Sequence, residues 1–337
     1  MAIFLNILFL VLGMAFLIKG ADFFVSGASA IAKKCKVPIL FIGLTIVALG
    51  TSLPELSVSI TSAISNSIDM SVGNIVGSNM FNMLFIIGVV ALFSPLPMSS
   101  SSKKIDLPFL IAITGALLLF SLDIAFNGVS ENILSRTESI LFLIILILYL
   151  YILISNANRK RKRQLKQEQY LLKNNPDTPK KPEKELKIWQ IALYVFIGLA
   201  AVVFGGECVS TTAQFLAIKM GMSEALVGLT IVALGTSLPE LATSIVAAKK
   251  GENDLALGNV VGSNLINITL ILGSVGLISQ APISSIIVTD IIILFVCTII
   301  FSFMCARQSN VSKKEGIILL SLYIAYLAFA IIRNYCF

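Results

Sequence analysis

The chain has 337 residues, of which 57% are hydrophobic and only 13% are charged, and its formal net charge is +7. Soluble globular domains carry about 25% charged residues, so this composition excludes an ordinary soluble protein and predicts a polytopic membrane protein. The positive charge does not indicate nucleic-acid binding, because 11 of the 25 Lys and Arg residues lie in the single stretch 159–187. Histidine is absent, which excludes imidazole catalysis and zinc sites with histidine ligands.

Ten segments are apolar and long enough to cross a bilayer, for which a helix needs about 20 residues. The predicted fold class is therefore an all-α polytopic membrane protein with ten transmembrane helices. The predicted spans are residues 2–32, 38–65, 70–94, 105–123, 138–156, 188–216, 223–248, 255–279, 284–306 and 315–334.

The basic residues between these spans alternate between the two sides of the membrane. Twenty-one of them fall on one side, and only Arg136, Lys219 and Arg333 fall on the other. By the positive-inside rule the first side is cytoplasmic, so both termini are expected outside the cell. Five helices in each half is an odd number, and the second half is therefore expected to enter the membrane upside down relative to the first, as in secondary transporters.

The predicted organisation is one five-helix repeat over 1–155, a linker over 156–187, and a second, inverted repeat over 188–337. The linker contains the run RKRKR and three prolines, and is predicted to be flexible and cytoplasmic. The basic run is interpreted as a topology anchor, with a lipid-headgroup or regulatory site as the alternative.

A long motif occurs twice. GLTIVALGTSLPELSVSI at 43–60 and GLTIVALGTSLPELATSI at 228–245 are identical at 16 of 18 positions, and GNIVGSNMFN and GNVVGSNLIN downstream keep the same offset of 185 residues. Each copy places a carboxylate, Glu55 or Glu240, inside an apolar span directly after a proline. An ionisable group within the membrane is costly and marks a candidate functional site.

The residues around each glutamate are oxygen donors. Thr51, Ser52 and Glu55 share one helix face, and Pro54 is expected to kink the helix and free backbone carbonyls. Such a break is tolerated only where it faces protein or a water-filled cavity.

The next span adds polar stripes with four-residue spacing, Asn74, Ser78 and Asn82 in the first half. The second half repeats the stripe at Asn259, Ser263 and Asn267. If the halves meet about a pseudo-two-fold axis, these groups and both glutamates form an all-oxygen cage suited to Ca²⁺ or Na⁺. The alternative interpretation of the small and amide residues is helix packing, which we prefer for the glycines at 73, 77 and 88.

Two further pairs of acidic residues within the spans are compared with the glutamates. Asp22 and Glu207 occupy matched positions in the first and sixth spans, where they line an ion path or reach the interface. Asp106 and Asp290 lie near span ends and are interpreted as interfacial.

The motifs GTSLPE and GSNxxN, present in both halves, are similar to those of the cation/calcium exchanger superfamily, and the chain most resembles its prokaryotic Na⁺/Ca²⁺ exchangers over essentially its whole length. The resemblance implies two inverted repeats, first and sixth helices that act as gates, and ion exchange by alternating access. It also implies an ion-ligand set, in which Ala48 and Ala233 contribute backbone carbonyls: Glu55, Thr51, Ser52, Ser78, Asn82 and Ala48, with Glu240, Thr236, Ser237, Ser263, Asn267 and Ala233.

Two departures from the family pattern bear on the coupling ion. Potassium-dependent members typically have Asp where this chain has Asn82 or Asn267, and proton-coupled members usually have GNxxE where this chain has GNxxG. We therefore expect an antiporter that exchanges Na⁺ for Ca²⁺ in a prokaryotic cell membrane. The alternative is an H⁺- or K⁺-coupled exchanger of Ca²⁺ or another divalent cation.

Other classes of protein fit the sequence less well. A passive channel or a membrane sensor would not need an inverted repeat with one central site, and no nucleophile and base pair indicates an enzyme. The expected partners are Ca²⁺, Na⁺ and the lipid bilayer, with no cofactor. The sequence leaves the oligomeric state open and is compatible with a monomer.

Overall fold

The computed structural model describes residues 2–124, 131–174, 186–221, 233–280, 282–307 and 310–336. These residues are almost entirely helical, as the sequence predicts. Shorter helical pieces are given below by residue number. The helices of twelve or more residues are α1 (Ala2–Cys35), α2 (Leu53–Ile64), α3 (Ile68–Met80), α4 (Leu107–Phe120), α5 (Arg136–Asn174), α6 (Ile188–Lys219), α7 (Leu238–Lys249), α8 (Asn253–Ile266), α9 (Ser285–Arg307) and α10 (Lys313–Cys336).

Seven helical stretches within the described residues are long and apolar enough to cross a membrane, and an eighth is added when the bent segment 39–64 counts as one span. The other two predicted spans are 105–123, where α4 has 14 residues, and 223–248, whose first ten residues lie outside the described residues. The chain is thus a polytopic helical membrane protein, and the count of ten spans stays a prediction.

The predicted linker differs from the structure over its first part. Helix α5 continues past the membrane-spanning residues to Asn174, so residues 156–174 are helical. Lys, Arg, Gln, Leu and Glu dominate this stretch, and all of them are strong helix formers. The rest of the predicted linker, up to residue 185, lies outside the described residues.

The two halves of the chain interlock. The piece Ile87–Phe93 of the first half packs against α10, and the piece Gly273–Ile278 of the second half packs against α5. One hydrophobic core contains side chains of both halves. The stretches Ile68–Phe93 and Asn253–Ile278 are central, each 78% buried, whereas the spans of α1 and α6 are 28% and 22% buried. The polar stripes of the motif therefore lie at the centre of the molecule.

Helices α1 and α6 form the most extensive helix pair, and they run antiparallel. Glycines spaced by seven residues line the contact, at positions 13, 20 and 27 of α1 and at 198 and 205 of α6. A Cβ atom on Gly205 would lie 2.5 Å from the Leu17 backbone nitrogen, and one on Gly20 would lie 2.7 Å from the Val202 nitrogen. Close backbone contact through small residues is a common way for membrane helices to associate.

Two short antiparallel strand pairs connect loops of opposite halves. Leu96–Pro97 pairs with Asn310–Val311, and Asn132–Ile133 pairs with Pro282–Ile283. The basic residues assign both members of the first pair to the cytoplasmic side, and the alternation of spans assigns both members of the second pair to the outside. The pairing of the loops thus agrees with the predicted topology.

Asp106 and Asp290 are more buried than an interfacial position implies, at 2% and 7% exposure. Asp106 accepts a hydrogen bond from the Tyr149 hydroxyl on α5 at 3.1 Å. Asp290 on α9 forms a two-bond ion pair with Arg333 on α10, at 3.0 and 2.8 Å. Each carboxylate joins neighbouring helices of its own half.

Breaking the ion pair of α9 and α10 is expected to destabilise the fold. Removing Asp290 leaves the partly buried Arg333 without its counter-charge, and the corresponding cost for a fully buried pair is roughly 3–5 kcal/mol. Asp290→Ala should therefore lower the thermal unfolding midpoint in detergent, measured by circular dichroism, far more than Asp106→Asn, which keeps an oxygen for Tyr149. Equal midpoints for the two variants would contradict this role of the ion pair.

Candidate cation site

The first motif copy forms a broken helix. It runs through Ile39–Ile42, a π-helix at Gly43–Val47 and a turn at Ala48–Thr51, and it breaks at Ser52 before α2 begins. The two parts are bent by 47°. Pro54 occupies the first turn of α2, where the missing N–H leaves the preceding turn without a regular helical bond. The predicted kink is confirmed.

The second copy breaks in the same way over the residues that are described. Ala233–Gly235 is a short helical piece, Thr236 and Ser237 form the break, and α7 begins at Leu238 with Pro239 in its first turn. Residues 228–232 of this copy lie outside the described residues. Both glutamates thus stand in the first turn of the helix that follows a break.

The helices that carry the polar stripes change to π-helix at corresponding positions. A π-helix covers Phe81–Ile86 after α3, and another covers Asn267–Leu272 after α8. Asn82 and Asn267 lie at the beginning of these segments and are fully buried. Local π-helical turns are frequently found at functional sites, and here both coincide with predicted ion ligands.

Glu55 and Glu240 are both fully buried, and each is bonded by the opposite half. The Ser237 hydroxyl donates to Glu55 Oε1 at 2.8 Å, and the Ser52 hydroxyl donates to Glu240 Oε1 at 3.1 Å. The site is therefore shared between the repeats, and each serine serves the other repeat's glutamate.

The serine of each GSNxxN motif lies near the glutamate of its own half. Ser78 lies 3.5 Å from Glu55 Oε1, and Ser263 lies 3.4 Å from Glu240 Oε1. The remaining oxygen of each carboxylate, Oε2, is buried without a hydrogen-bond partner in the described part of the chain. Buried polar atoms are normally paired, so these oxygens are available to a ligand.

Asn74 and Asn259 join the helices of the site. Asn259 accepts a bond from the Thr51 hydroxyl at 3.0 Å, and its amide nitrogen donates to Ser244 Oγ at 3.0 Å. In the other half, Thr236 donates to Asn74 at 3.5 Å, and Asn74 donates to Ser59. Their amide atoms are thus used by protein partners, which is the packing role that the sequence left open.

The predicted ligand residues differ in whether their amide or carbonyl groups already form hydrogen bonds within the protein. The Asn82 amide and the Asn267 Oδ1 have no hydrogen-bond partner among the described residues. The carbonyl of Ala48 accepts the Ser52 backbone N–H at 3.0 Å, and Ala233 begins the helical piece before the second break. The ligand roles of both alanine carbonyls stay predictions.

The site combines two carboxyl groups with neutral oxygen donors. Within the described residues, neither glutamate forms an ion pair with Lys or Arg, and no three His, Cys, Asp or Glu side chains are grouped as a metal cluster. Two carboxylates with hydroxyl and amide oxygens are hard donors that suit Na⁺ or Ca²⁺. The small number of charged ligands favours an ion that binds and leaves again.

The sequence interpretation missed a second amide pair, Asn79 and Asn264, which connects the two halves. Asn79 Nδ2 donates to the Asn264 carbonyl at 3.2 Å, and Asn264 Nδ2 donates to the Asn79 carbonyl at 3.4 Å. Asn79 Oδ1 also accepts a bond from Asn267 Nδ2 at 3.0 Å. The signal was available, because the repeated triplet GSN contains both residues.

Asp22 and Glu207 have exposed side chains, unlike the two fully buried glutamates. Asp22 forms an ion pair with Lys250 at 2.8 Å, and the same amine donates to Ser26 Oγ. This contact connects α1 to the end of α7. A role of either residue in an ion path stays a prediction.

Comparison with known proteins identifies relatives along the whole chain. The family model for sodium/calcium exchanger protein matches residues 5–155 and 190–332. The chain is 35% identical to sodium/calcium exchanger MaX1 of Methanosarcina acetivorans, over 96% of this chain and 97% of that protein. It is 32% identical to inner membrane protein YrbG of Escherichia coli K12, over 89% of each.

The fold is also similar to a solved structure. The sodium-calcium exchanger NCX_Mj, soaked with Na⁺ and Sr²⁺, superposes with a TM-score of 0.80 at 28% identity, over 97% of this chain and 99% of that chain.

Proposed function

Because the chain belongs to the sodium/calcium exchanger protein family, a family of membrane antiporters and not of enzymes, we propose that it exchanges Na⁺ for Ca²⁺ at the site of Glu55 and Glu240. The ions are transported substrates. The ligands are the serine, threonine and asparagine oxygens of both motif copies, together with the carbonyls of Ala48 and Ala233.

One observation carries this proposal: two fully buried carboxylates from opposite repeats share one polar site. Burying a charge without compensation is costly, and the described surroundings offer hydroxyls and amides in place of a Lys or Arg. Two negative charges are neutralised by one Ca²⁺ or by two Na⁺. Alternate occupation by the two ions therefore keeps the site near neutrality and couples their movements.

The shared construction of the site supports alternating access. Each glutamate moves with its own half, whereas its serine partner belongs to the other half. If the halves rock against one another, these serine–glutamate contacts change as the site opens towards one side of the membrane and closes towards the other. Helices α1 and α6 approach closely through glycines, and in their gating role they slide along this contact.

We place ten spans in the membrane, with both termini outside a prokaryotic cell and the end of α5 in the cytoplasm. In a cysteine-free background, a cysteine at Gln164 should react with a membrane-impermeant maleimide only from the cytoplasm, and one at Glu131 only from outside. Reaction of both sites from the same side would contradict the inverted topology.

The function is tested by ⁴⁵Ca²⁺ uptake into proteoliposomes that contain the purified protein. An outward Na⁺ gradient should drive uptake, and matched outward K⁺ or H⁺ gradients should not. Liposomes without protein provide the background. Uptake driven by the H⁺ or K⁺ gradient instead would establish the alternative coupling, and competition by Mn²⁺ would reveal another divalent substrate.

A further inference from the structure

The two GSNxxN motifs have the same polar residues but different hydrogen bonds. In the second half, Asn267 Nδ2 donates to Asn79 Oδ1 at 3.0 Å. In the first half, Asn82 holds the equivalent position, and neither of its amide atoms has a partner among the described residues. Asn264 Oδ1, the counterpart of Asn79 Oδ1, is also without one there. Because the four asparagines have the same side chain, we attribute the difference to how the halves are arranged.

The bond to Asn79 decides which end of the Asn267 amide is available to an ion. An amide has a donor end and an acceptor end, and its nitrogen cannot ligate a cation. With Nδ2 held by Asn79, the buried Oδ1 of Asn267 is left without a protein partner. Asn82 lacks such a restraint, so its oxygen is not fixed in direction.

The backbone bonds between Asn79 and Asn264 do not share this asymmetry. Each side-chain nitrogen donates to the other residue's carbonyl, at 3.2 and 3.4 Å. This reciprocal pair is compatible with either arrangement of the halves. Within this pair only the two Oδ1 atoms differ, since Asn79 Oδ1 is bonded and Asn264 Oδ1 has no partner among the described residues.

We propose that Asn79 and Asn264 are positioning residues that act in turn. Asn79 orients the Asn267 amide in the arrangement described here, and Asn264 orients Asn82 when the halves have exchanged their environments. The inference rests on the proposed function, because inverted repeats exchange their environments during alternating access. Each arrangement thus has one fixed amide oxygen at the site and one released amide.

Removing one acceptor should therefore bias the conformational equilibrium in one direction only. The Asn79→Ala substitution removes the bond found here, and Asn264→Ala removes its counterpart in the other arrangement. One neutral hydrogen bond shifts such an equilibrium by roughly three- to tenfold. A biased equilibrium lowers the half-saturating Ca²⁺ concentration on one side of the membrane and raises it on the other.

The experiment measures half-saturating Ca²⁺ for exchange on each side of proteoliposomes, with molecules of one orientation blocked by a sided cysteine reagent. The ratio of the outside value to the cytoplasmic value should shift severalfold in opposite directions for Asn79→Ala and Asn264→Ala. The double variant should return towards the wild-type ratio. If the alanine variants do not fold, Asn79→Leu and Asn264→Leu replace them, because leucine keeps the side-chain volume and removes the same hydrogen bonds.

Thr269→Val is the matched control. Thr269 is buried two positions beyond Asn267, and its hydroxyl donates to the Leu265 carbonyl of the same helical stretch. The control should leave the ratio unchanged. A purely structural role of the asparagines would reduce the yield of folded protein without moving the ratio.

The outcomes separate this inference from the proposed function. Wild-type exchange together with an unmoved ratio, or with ratios that shift in the same direction for both single variants, overturns the positioning role alone. Absence of Na⁺-driven Ca²⁺ exchange by the wild-type protein overturns the function and this inference together.

Discussion

Replacing either site glutamate with glutamine is expected to abolish Na⁺-driven Ca²⁺ uptake. Glu55→Gln and Glu240→Gln keep the shape and one oxygen, but each removes half of the negative charge in a fully buried site. Losing one partner of a buried charge interaction costs roughly 2–5 kcal/mol, which corresponds to about 30-fold to several thousand-fold in ion affinity. The measurement is initial ⁴⁵Ca²⁺ uptake into proteoliposomes at matched protein content.

Glu131→Gln is the control, because Glu131 is an exposed loop residue that the structure places outside the site. It should retain wild-type uptake. Size-exclusion profiles would verify that all three variants are folded. Uptake near the wild-type rate in Glu55→Gln or Glu240→Gln would remove the basis for the two-glutamate site.

Adding one methyl group to the contact of α1 and α6 is expected to impair both stability and transport. In Gly205→Ala the new Cβ would lie 2.5 Å from the Leu17 backbone nitrogen and 2.7 Å from the Gly13 carbonyl oxygen. Backbone atoms cannot rotate away, so the two helices must separate. Overpacking of this kind costs about 1–3 kcal/mol, and we expect both a lower thermal unfolding midpoint and transport slowed at least tenfold.

Gly115→Ala on α4 is the matched substitution for this test. Its Cβ would meet only the edge of the Phe295 ring, at 3.1 Å, and a side chain can adjust where a backbone cannot. Gly115→Ala should therefore transport at nearly the wild-type rate. If Gly205→Ala behaves as Gly115→Ala does, close approach of α1 and α6 is not needed for transport.

The sequence was sufficient to predict the local structure of the two motifs. An acidic residue after a proline, repeated at a fixed offset in two apolar segments, predicted buried carboxylates beside helix breaks, and both are found at Glu55 and Glu240. These features depend on local rules, namely the missing N–H of proline and the cost of a charge in hydrocarbon.

The pairing across the halves could not be predicted in the same way. Ser52 and Glu55 were expected to act together on one helix face, yet Ser52 bonds Glu240 and Ser237 bonds Glu55. The helix break at Ser52 turns its hydroxyl away from its own helix, and only tertiary packing determines which glutamate it meets. The π-helical turns at Phe81 and Asn267 also lack a local signal, because nothing in their composition differs from the adjoining α-helix.

For the linker, a local signal was present in the sequence but was overlooked. Its charge and prolines indicated a flexible segment, but the prolines begin only at Pro176, and the residues before them are strong helix formers that extend α5 to Asn174. Composition averaged over 32 residues concealed this division.

Calcium binding measured by titration calorimetry at several Na⁺ concentrations tests most directly whether one site takes both ions. We predict one Ca²⁺ bound per chain, with an apparent dissociation constant that rises with at least the square of the Na⁺ concentration, and no Ca²⁺ binding by the Glu55→Gln, Glu240→Gln double variant. Calcium binding that is indifferent to Na⁺, or that persists in the double variant, would contradict a shared two-glutamate site.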